Sequence, residues 1–247
     1  MFAGCPTPSE ALAVAQAVFA SRYAGAAFAF AAGSIMRGEG TRLSDLDLVV
    51  IYDRLEAAWR ESFIAEGIPV EAFVHDHETL GWFIETDVAQ GNPSLLHMIA
   101  EGVVIGDARG RAAALQRDVA RRLAEGPPRL PPARLNVLRY EITDAIDDLR
   151  GERSPAEILA IGAMLYPRFV ELALRRRGRW NGTGKWGPRR LAEADAGLTG
   201  RCDAAFRALF AAGACEEVIA LAEEELAPHG GRLFDGDYRR ASPLCRA

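Results

Sequence analysis

The chain has 247 residues, 49% of them hydrophobic and 26% charged, a globular composition with enough length for two modest domains, each with its own core. The formal net charge of −5 argues against a general nucleic-acid binder, which would lean basic. No stretch is apolar and long enough to span a bilayer, the N-terminal segment has no basic region of a signal peptide, and Cys5, Cys202, Cys215 and Cys245 show neither a CxxC pair nor zinc-like spacing. The expectation is a cytoplasmic protein with reduced thiols and no membrane partner.

In chain order, "SEALAVAQAVFASRY" (9–23) predicts a helix with Ser9 as N-cap and Glu10 in its first turn. "AGAAFAF" (24–30) predicts a strand that ends at Gly33-Ser34. "SDLDLVVIYD" (44–53) is apolar on both faces past Asp47 and predicts a central strand. In "LEAAWRESFIAEG" (55–67), Leu55, Ala58, Trp59, Ser62 and Phe63 fall at helical intervals and predict a helix. "IPVEAFVHD" (68–76) predicts a third strand. Short helices are expected near 78–90 and 93–101, and a small strand at 103–107. The first part therefore reads as strand–helix–strand–helix–strand, an α/β sheet layer.

Past Asp107 the character becomes helical. Residues 109–126 predict a helix, and "PPRLPP" (127–132) breaks it. "ARLNVLRYEITDAIDDLRG" (133–151) predicts another, with Leu135, Leu138, Ile142, Ala145, Ile146 and Leu149 on its apolar face. The following helix begins with Ser154 as N-cap and Pro155 at its first position, and Pro167 should kink it. Two or three more helices are expected over 185–228. The division falls between an α/β domain, 1–107, and an all-α helical bundle, 108–247.

Asp45 and Asp47, two residues apart at the mouth of a buried strand, point to the same side, whereas Leu46 and Leu48 pack on the other. Two carboxylates held this close repel unless a cation or proton joins them. Magnesium suits such a position, because it takes one or two protein carboxylates and completes its shell with water and phosphate oxygens. In the third strand Glu71 projects with Phe73 and His75. Should that strand lie beside the first with Glu71 on the aspartates' face, three carboxylates converge, and such a cluster can hold two ions roughly 3.5–4 Å apart. Gly33 and Ser34 sit where a strand gives way to a turn whose N–H groups and hydroxyl suit a phosphate. Gly38 and Gly40 keep the intervening connection compact.

Two other phosphate-binding patterns fail. "GEGTRL" lacks the third glycine of a dinucleotide fingerprint, and in "RWNGTGKW" Arg179 and Trp186 stand where a P-loop needs glycine and Ser/Thr.

The composite "GSIMRGEGTRLSDLDLVV" (33–50) resembles the signature of the polymerase-β-type nucleotidyltransferase superfamily: Gly-Ser, a glycine-rich spacer, then Ser-Asp-x-Asp opening an apolar run. Its Arg37-Gly38 and Ser44-Asp45 details resemble the minimal and antibiotic-modifying branches. The resemblance implies a nucleotidyltransferase-type mixed sheet with flanking helices. It also implies that Gly33 and Ser34 hold a triphosphate, that Asp45 and Asp47 ligand Mg²⁺, and that Glu71 is the third acidic residue. Glu71 stands where many relatives carry Asp, which leaves its role between ligand and base open. The reaction implied moves a nucleoside monophosphate, AMP as the first choice, from an NTP to a hydroxyl and releases pyrophosphate.

For the helical half the resemblance implies a domain that shapes the acceptor pocket. Glu141, Asp144 and Asp148 form an i, i+3, i+7 stripe that suits a polycationic, aminoglycoside-like acceptor, with Glu141 or Asp144 as a base for the attacking hydroxyl; an ordinary solvated helix face fits the same pattern. In "RRRGRWNGTGKWGPRR" (175–190) stands Lys185, the single lysine among 29 basic residues, expected to contact phosphate, with the tryptophans offering a stacking surface. A basic loop that merely caps two helices is the other reading. His75 and His77 are expected in a loop, and His97 packed in a helix. The acceptor is a small hydroxylated molecule or, alternatively, a partner protein, as in antitoxin-like relatives. A non-catalytic nucleotide-binding protein is the remaining alternative, and the oligomeric state is left open.

Overall fold

In the computed structural model, residues 4–107 and 110–240 are described. They form two compact units that divide between Gly126 and Pro127.

The first unit opens with α1 (Pro8–Arg22), then β1 (Phe28–Ala32), β2 (Leu46–Ile51), β3 (Trp59–Ala65), β4 (Ile68–His75), α2 (His77–Gln90), α3 (Ser94–Glu101), β5 (Val103–Ile105) and α4 (Arg111–Glu125). The cap of α1 is Thr7, not Ser9. Thr7 and Glu10 form a reciprocal capping box and Pro8 takes the first helical position, where a missing N–H costs nothing. β1 starts later than expected because Ala24 and Gly25 form a turn, and it then runs to Ala32, directly before Gly33.

The expected helix over 55–67 is a strand. Trp59, Glu61, Phe63 and Ala65 alternate with Arg60, Ser62 and Ile64, and Glu66 and Gly67 both take positive φ (48° and 84°). That is the geometry of a two-residue hairpin whose twist matches its strands, and it pairs Ala65 with Ile68. β3 is an edge strand with no fully buried position, so its period of two is weakly marked in the sequence.

The five strands order β3-β4-β2-β1-β5, with β2 and β4 parallel and the other pairs antiparallel. Helices cover both faces of this mixed sheet. Leu46, Leu48, Val50, Val70, Ala72 and Val74 pack with α1 residues such as Val14 and Val18. Val49 and Ile51 pack on the other side with Leu80, Leu96, Ile99 and Val119 from α2, α3 and α4. Helix α4, placed with the helical half by the division after Asp107, thus contributes Ala112 and Val119 to the sheet unit's core.

The second unit is all helical: α5 (Pro132–Arg150), α6 (Pro155–Arg176), α7 (Trp186–Ala194), α8 (Ala196–Ala212) and α9 (Glu216–Leu226), ended by a 3₁₀ turn, Ala227–His229. Its core takes Ile142 and Ile146 from α5, Phe169 from α6, Leu191 from α7, Phe206 from α8 and Leu221 from α9. Ser154 caps α6 in a box with Glu157, as its sequence predicts, and α6 continues through Pro167 as one helix. Cys5, Cys202 and Cys215 are free thiols, and Cys245 lies outside the described residues. Among the described residues no helix is long and apolar enough to cross a membrane.

Candidate active site

The candidate site forms where the end of β1, the start of β2 and the first half of β4 meet. β1 runs antiparallel to β2, so its last residue, Ala32, pairs with Asp47 and delivers Gly33 and Ser34 to the same sheet end. β4 runs parallel to β2, and its register sets Asp47 opposite Glu71 and Leu46 opposite Val70. Register partners on adjacent strands share a face, so Asp47 and Glu71 both project to the side that α2, α3 and α4 cover. Asp45 precedes β2 and is exposed, whereas Asp47 and Glu71 are half-buried. One carboxylate oxygen from each of the three lies within 4.8 Å of the others.

Two local devices aim these groups. Between Thr41 and Ser44 a compact turn closes: Thr41 N–H donates to Ser44 Oγ at 2.8 Å, and Ser44 N–H to the Thr41 carbonyl at 3.0 Å. Such side-chain turns hold the backbone without a ladder, and this one delivers Asp45 to the strand mouth. On the other side Gly33 takes φ +92°, and a Cβ there would overlap Asp47 Oδ2 and lie 3.1 Å from its Cγ. Glycine is required on both counts. After it the chain forms a tight turn rather than a helix, in which Arg37 N–H donates to the Gly33 carbonyl (3.3 Å) and Glu39 N–H to that of Ser34 (2.9 Å), with Ile35 buried beneath. Ser34 is half-buried.

Arg37 is tied back to α3. Its Nη1 lies 3.2 Å from Glu101 Oε2, and His97 Nδ1 lies 2.6 Å from Glu101 Oε1. His97, and then Arg37, hold the Glu101 carboxyl below its ordinary range. His97 is half-buried in its helix as expected, and it braces the Gly33–Glu39 turn through Glu101 and Arg37.

Sequence reasoning missed Arg60. It projects from β3 on the Glu71 side of the sheet, because Ser62 is the register partner of Glu71 and Arg60 that of Phe73. Its guanidinium is ion-paired with Glu71 Oε1 and lies 5.6 Å from the Phe73 ring centroid. Glu66-Gly67 between two alternating runs was the signal for the hairpin that places it.

His75 and His77 are not in a loop. His75 ends β4, is buried, and packs edge-on against Phe83 with 5.1 Å between centroids; burial pushes its pKa down. His77 opens α2 behind Asp76, whose carboxylate accepts from the N–H groups of Thr79 (2.9 Å) and Leu55 (3.0 Å).

The residues predicted on the helical half lie in the second unit. Glu141 is 2.7 Å from Arg168 Nε, Asp148 is ion-paired with Arg153, and Asp144 is exposed. Most of the expected acidic stripe is thus matched by arginine. Lys185 is exposed at the N-cap of α7. Both tryptophans near it are engaged within the unit: Trp180 is buried, and the Arg189 and Arg190 guanidiniums lie 5.1 and 5.8 Å from the Trp186 ring centroid.

No protein-family profile matches the chain, and no curated protein sequence does. Among solved structures, it is similar to a nucleotidyltransferase-like protein from Exiguobacterium sibiricum, at 10% identity and a TM-score of 0.47, over 87% of this chain and 74% of that one.

Proposed function

We propose that the protein is a divalent-metal-dependent nucleotidyltransferase that moves a nucleoside monophosphate, AMP in the first instance, from an NTP to a hydroxyl group. One observation carries this: Asp45, Asp47 and Glu71 bring carboxylate oxygens within 4.8 Å of one another beside the Gly33-Ser34 turn. The donor set is all oxygen, without histidine or cysteine, which fits Mg²⁺ and fits thiolate-seeking metals poorly. Asp45, Asp47 and Glu71 would hold the metal, and ions bound there would neutralise charge on the triphosphate.

The chain's own groups supply position. Gly33 lets the backbone approach a phosphate, and the Ser34 hydroxyl can donate to a phosphate oxygen. The Glu101 and His97 brace fixes the turn that carries both. Glu71 is proposed, beside its role as metal ligand, as a base for the proton of the attacking hydroxyl. Positioning and charge neutralisation account for most of phosphoryl-transfer catalysis, so no protein nucleophile is needed.

A small hydroxylated molecule, aminoglycoside-like in its positive charge, is our first choice of acceptor. Asp144, exposed on α5, is proposed as an acidic contact for it, and Lys185 as a phosphate contact for the NTP. A partner protein is the alternative acceptor. We propose the cytoplasm, where NTP and Mg²⁺ are both at hand, as the location of this reaction.

Incubation with Mg²⁺, each NTP in turn, and a panel of aminoglycosides, lincosamides and cell extract tests this, read as pyrophosphate release and mass-shifted products. Asp47→Asn should lower turnover by about 10²–10³-fold, the scale of losing one main electrostatic group. Unchanged turnover would remove the metal assignment. Lys185→Ala should weaken NTP binding more than acceptor binding in calorimetry, and equal NTP affinity would remove Lys185 from the site.

A further inference from the structure

Arg60 is a cation already stationed at the acidic cluster. It stands on the edge strand β3, diagonal to Glu71, and pairs with Glu71 Oε1 on the face where Asp45 and Asp47 converge. The pair joins a guanidinium 62% exposed to a carboxylate 19% exposed, so water reaches the arginine more freely than the glutamate. The arginine's other contact is the Phe73 ring, 5.6 Å from the guanidinium. Arg60 lies on the exposed side of a strand whose other face, through Phe63 and Ala65, packs on the α1-side core.

We propose that Arg60 is a positioning residue that competes with the metal for Glu71. Before metal arrives it offsets the repulsion among three gathered carboxylates and holds the Glu71 side chain at the cluster. When a divalent ion binds, Glu71 turns from arginine to metal. The arginine's exposure screens its side of the pair, and on yielding Glu71 the guanidinium can swing out on the solvent side of the strand. No bond is made or broken apart from the ion pair and the ligation. The consequence runs against the usual effect of changing a residue at an active site: removing Arg60 tightens metal binding.

The inference rests on the cluster's being the metal site proposed above, and the test separates the two. Mn²⁺ binding is measured by electron paramagnetic resonance on the full chain, with and without a non-hydrolysable ATP analogue, for the parent, Arg60→Gln, Arg60→Lys, Glu71→Gln, Asp47→Asn and the Arg60→Gln/Glu71→Gln pair. Arg60→Gln should bind Mn²⁺ about three- to tenfold more tightly than the parent, the scale of one exposed charge. Arg60→Lys should stay near the parent. In the Glu71→Gln background Arg60→Gln should add little, because the competed carboxylate is gone. Parent binding that Asp47→Asn abolishes, with Arg60→Gln equal to or weaker than the parent, overturns the role of Arg60 and leaves the metal site standing. Parent binding that neither Asp47→Asn nor Glu71→Gln changes, or no binding even with the analogue, overturns both.

Discussion

Gly33 and Asp47 are so close that glycine is the one residue the site tolerates there: an added methyl would meet the carboxylate that the register of β1 on β2 brings alongside. Gly33→Ala combines two penalties, a positive φ for a residue with a Cβ and a displaced Asp47 side chain. The expected outcome is a loss of about 1–3 kcal/mol of stability, measured by urea denaturation. Mn²⁺ affinity should fall as well, because the carboxylate must leave its place. A variant as stable as the parent, with unchanged Mn²⁺ affinity, would show that the turn opens to admit the methyl and that the close approach has no function.

Acid should loosen the seam between α1 and β3 through Glu61. Its carboxylate is paired with Arg22 and accepts from Tyr23 Oη at 2.8 Å and Trp59 Nε1 at 3.3 Å. The Arg22 bond is the main cause that lowers its pKa to about 2. A carboxyl depressed on folding contributes stability above its unfolded pKa, near 4.5, and that contribution is lost as pH falls from there towards 2. The group is partly hydrated, so after screening the contribution is about 1 kcal/mol. Glu61→Gln should unfold at a lower temperature than the parent at pH 7. The difference should shrink between pH 4.5 and 2, where the parent also protonates. A gap that stays constant with pH would assign the effect to packing instead of charge.

The acidic cluster was legible because its information is local. Asp45 and Asp47 share a strand, a period of two gives their common side, and the Gly-Ser spacing lies within one connection. Glu71 needed one non-local fact, the parallel pairing of β4 on β2, which the apolar character of both strands suggests without fixing. Arg60 stayed hidden for the reverse reason. An edge strand with one poorly buried face carries little alternation, and Leu55, Trp59 and Phe63 mimic helical spacing by coincidence. Helix α4 shows a third kind of limit. Its own sequence establishes a helix, but whether Ala112 and Val119 pack on a sheet or on other helices depends on partners that its sequence does not contain.

The stability of the helical unit should depend on Arg177 and Glu225 more than on its surface ion pairs. Glu225 is 1% exposed and is held by Arg177 through Nη1 at 2.8 Å and Nη2 at 3.0 Å, with Arg176 at 3.1 Å. Arg177 also reaches Asp195, 3.1 Å away, the residue that caps α8 by accepting from Leu198 N–H. One guanidinium therefore joins the end of α6, the start of α8 and the buried side of α9. Removing it leaves a carboxylate out of water with a single, poorer partner, for which the cost is about 3 kcal/mol. Arg177→Ala should show that loss in thermal unfolding, whereas Arg201→Ala, which leaves the exposed Glu224 in water, should stay within about 0.5 kcal/mol of the parent. Replacing both partners, as Arg177→Met with Glu225→Met, should recover most of the deficit, because two apolar side chains of similar size need no compensating charge. A double variant as unstable as Arg177→Ala would show that the pair acts through its capping link to α8, and Asp195→Ala should then reproduce the loss by itself.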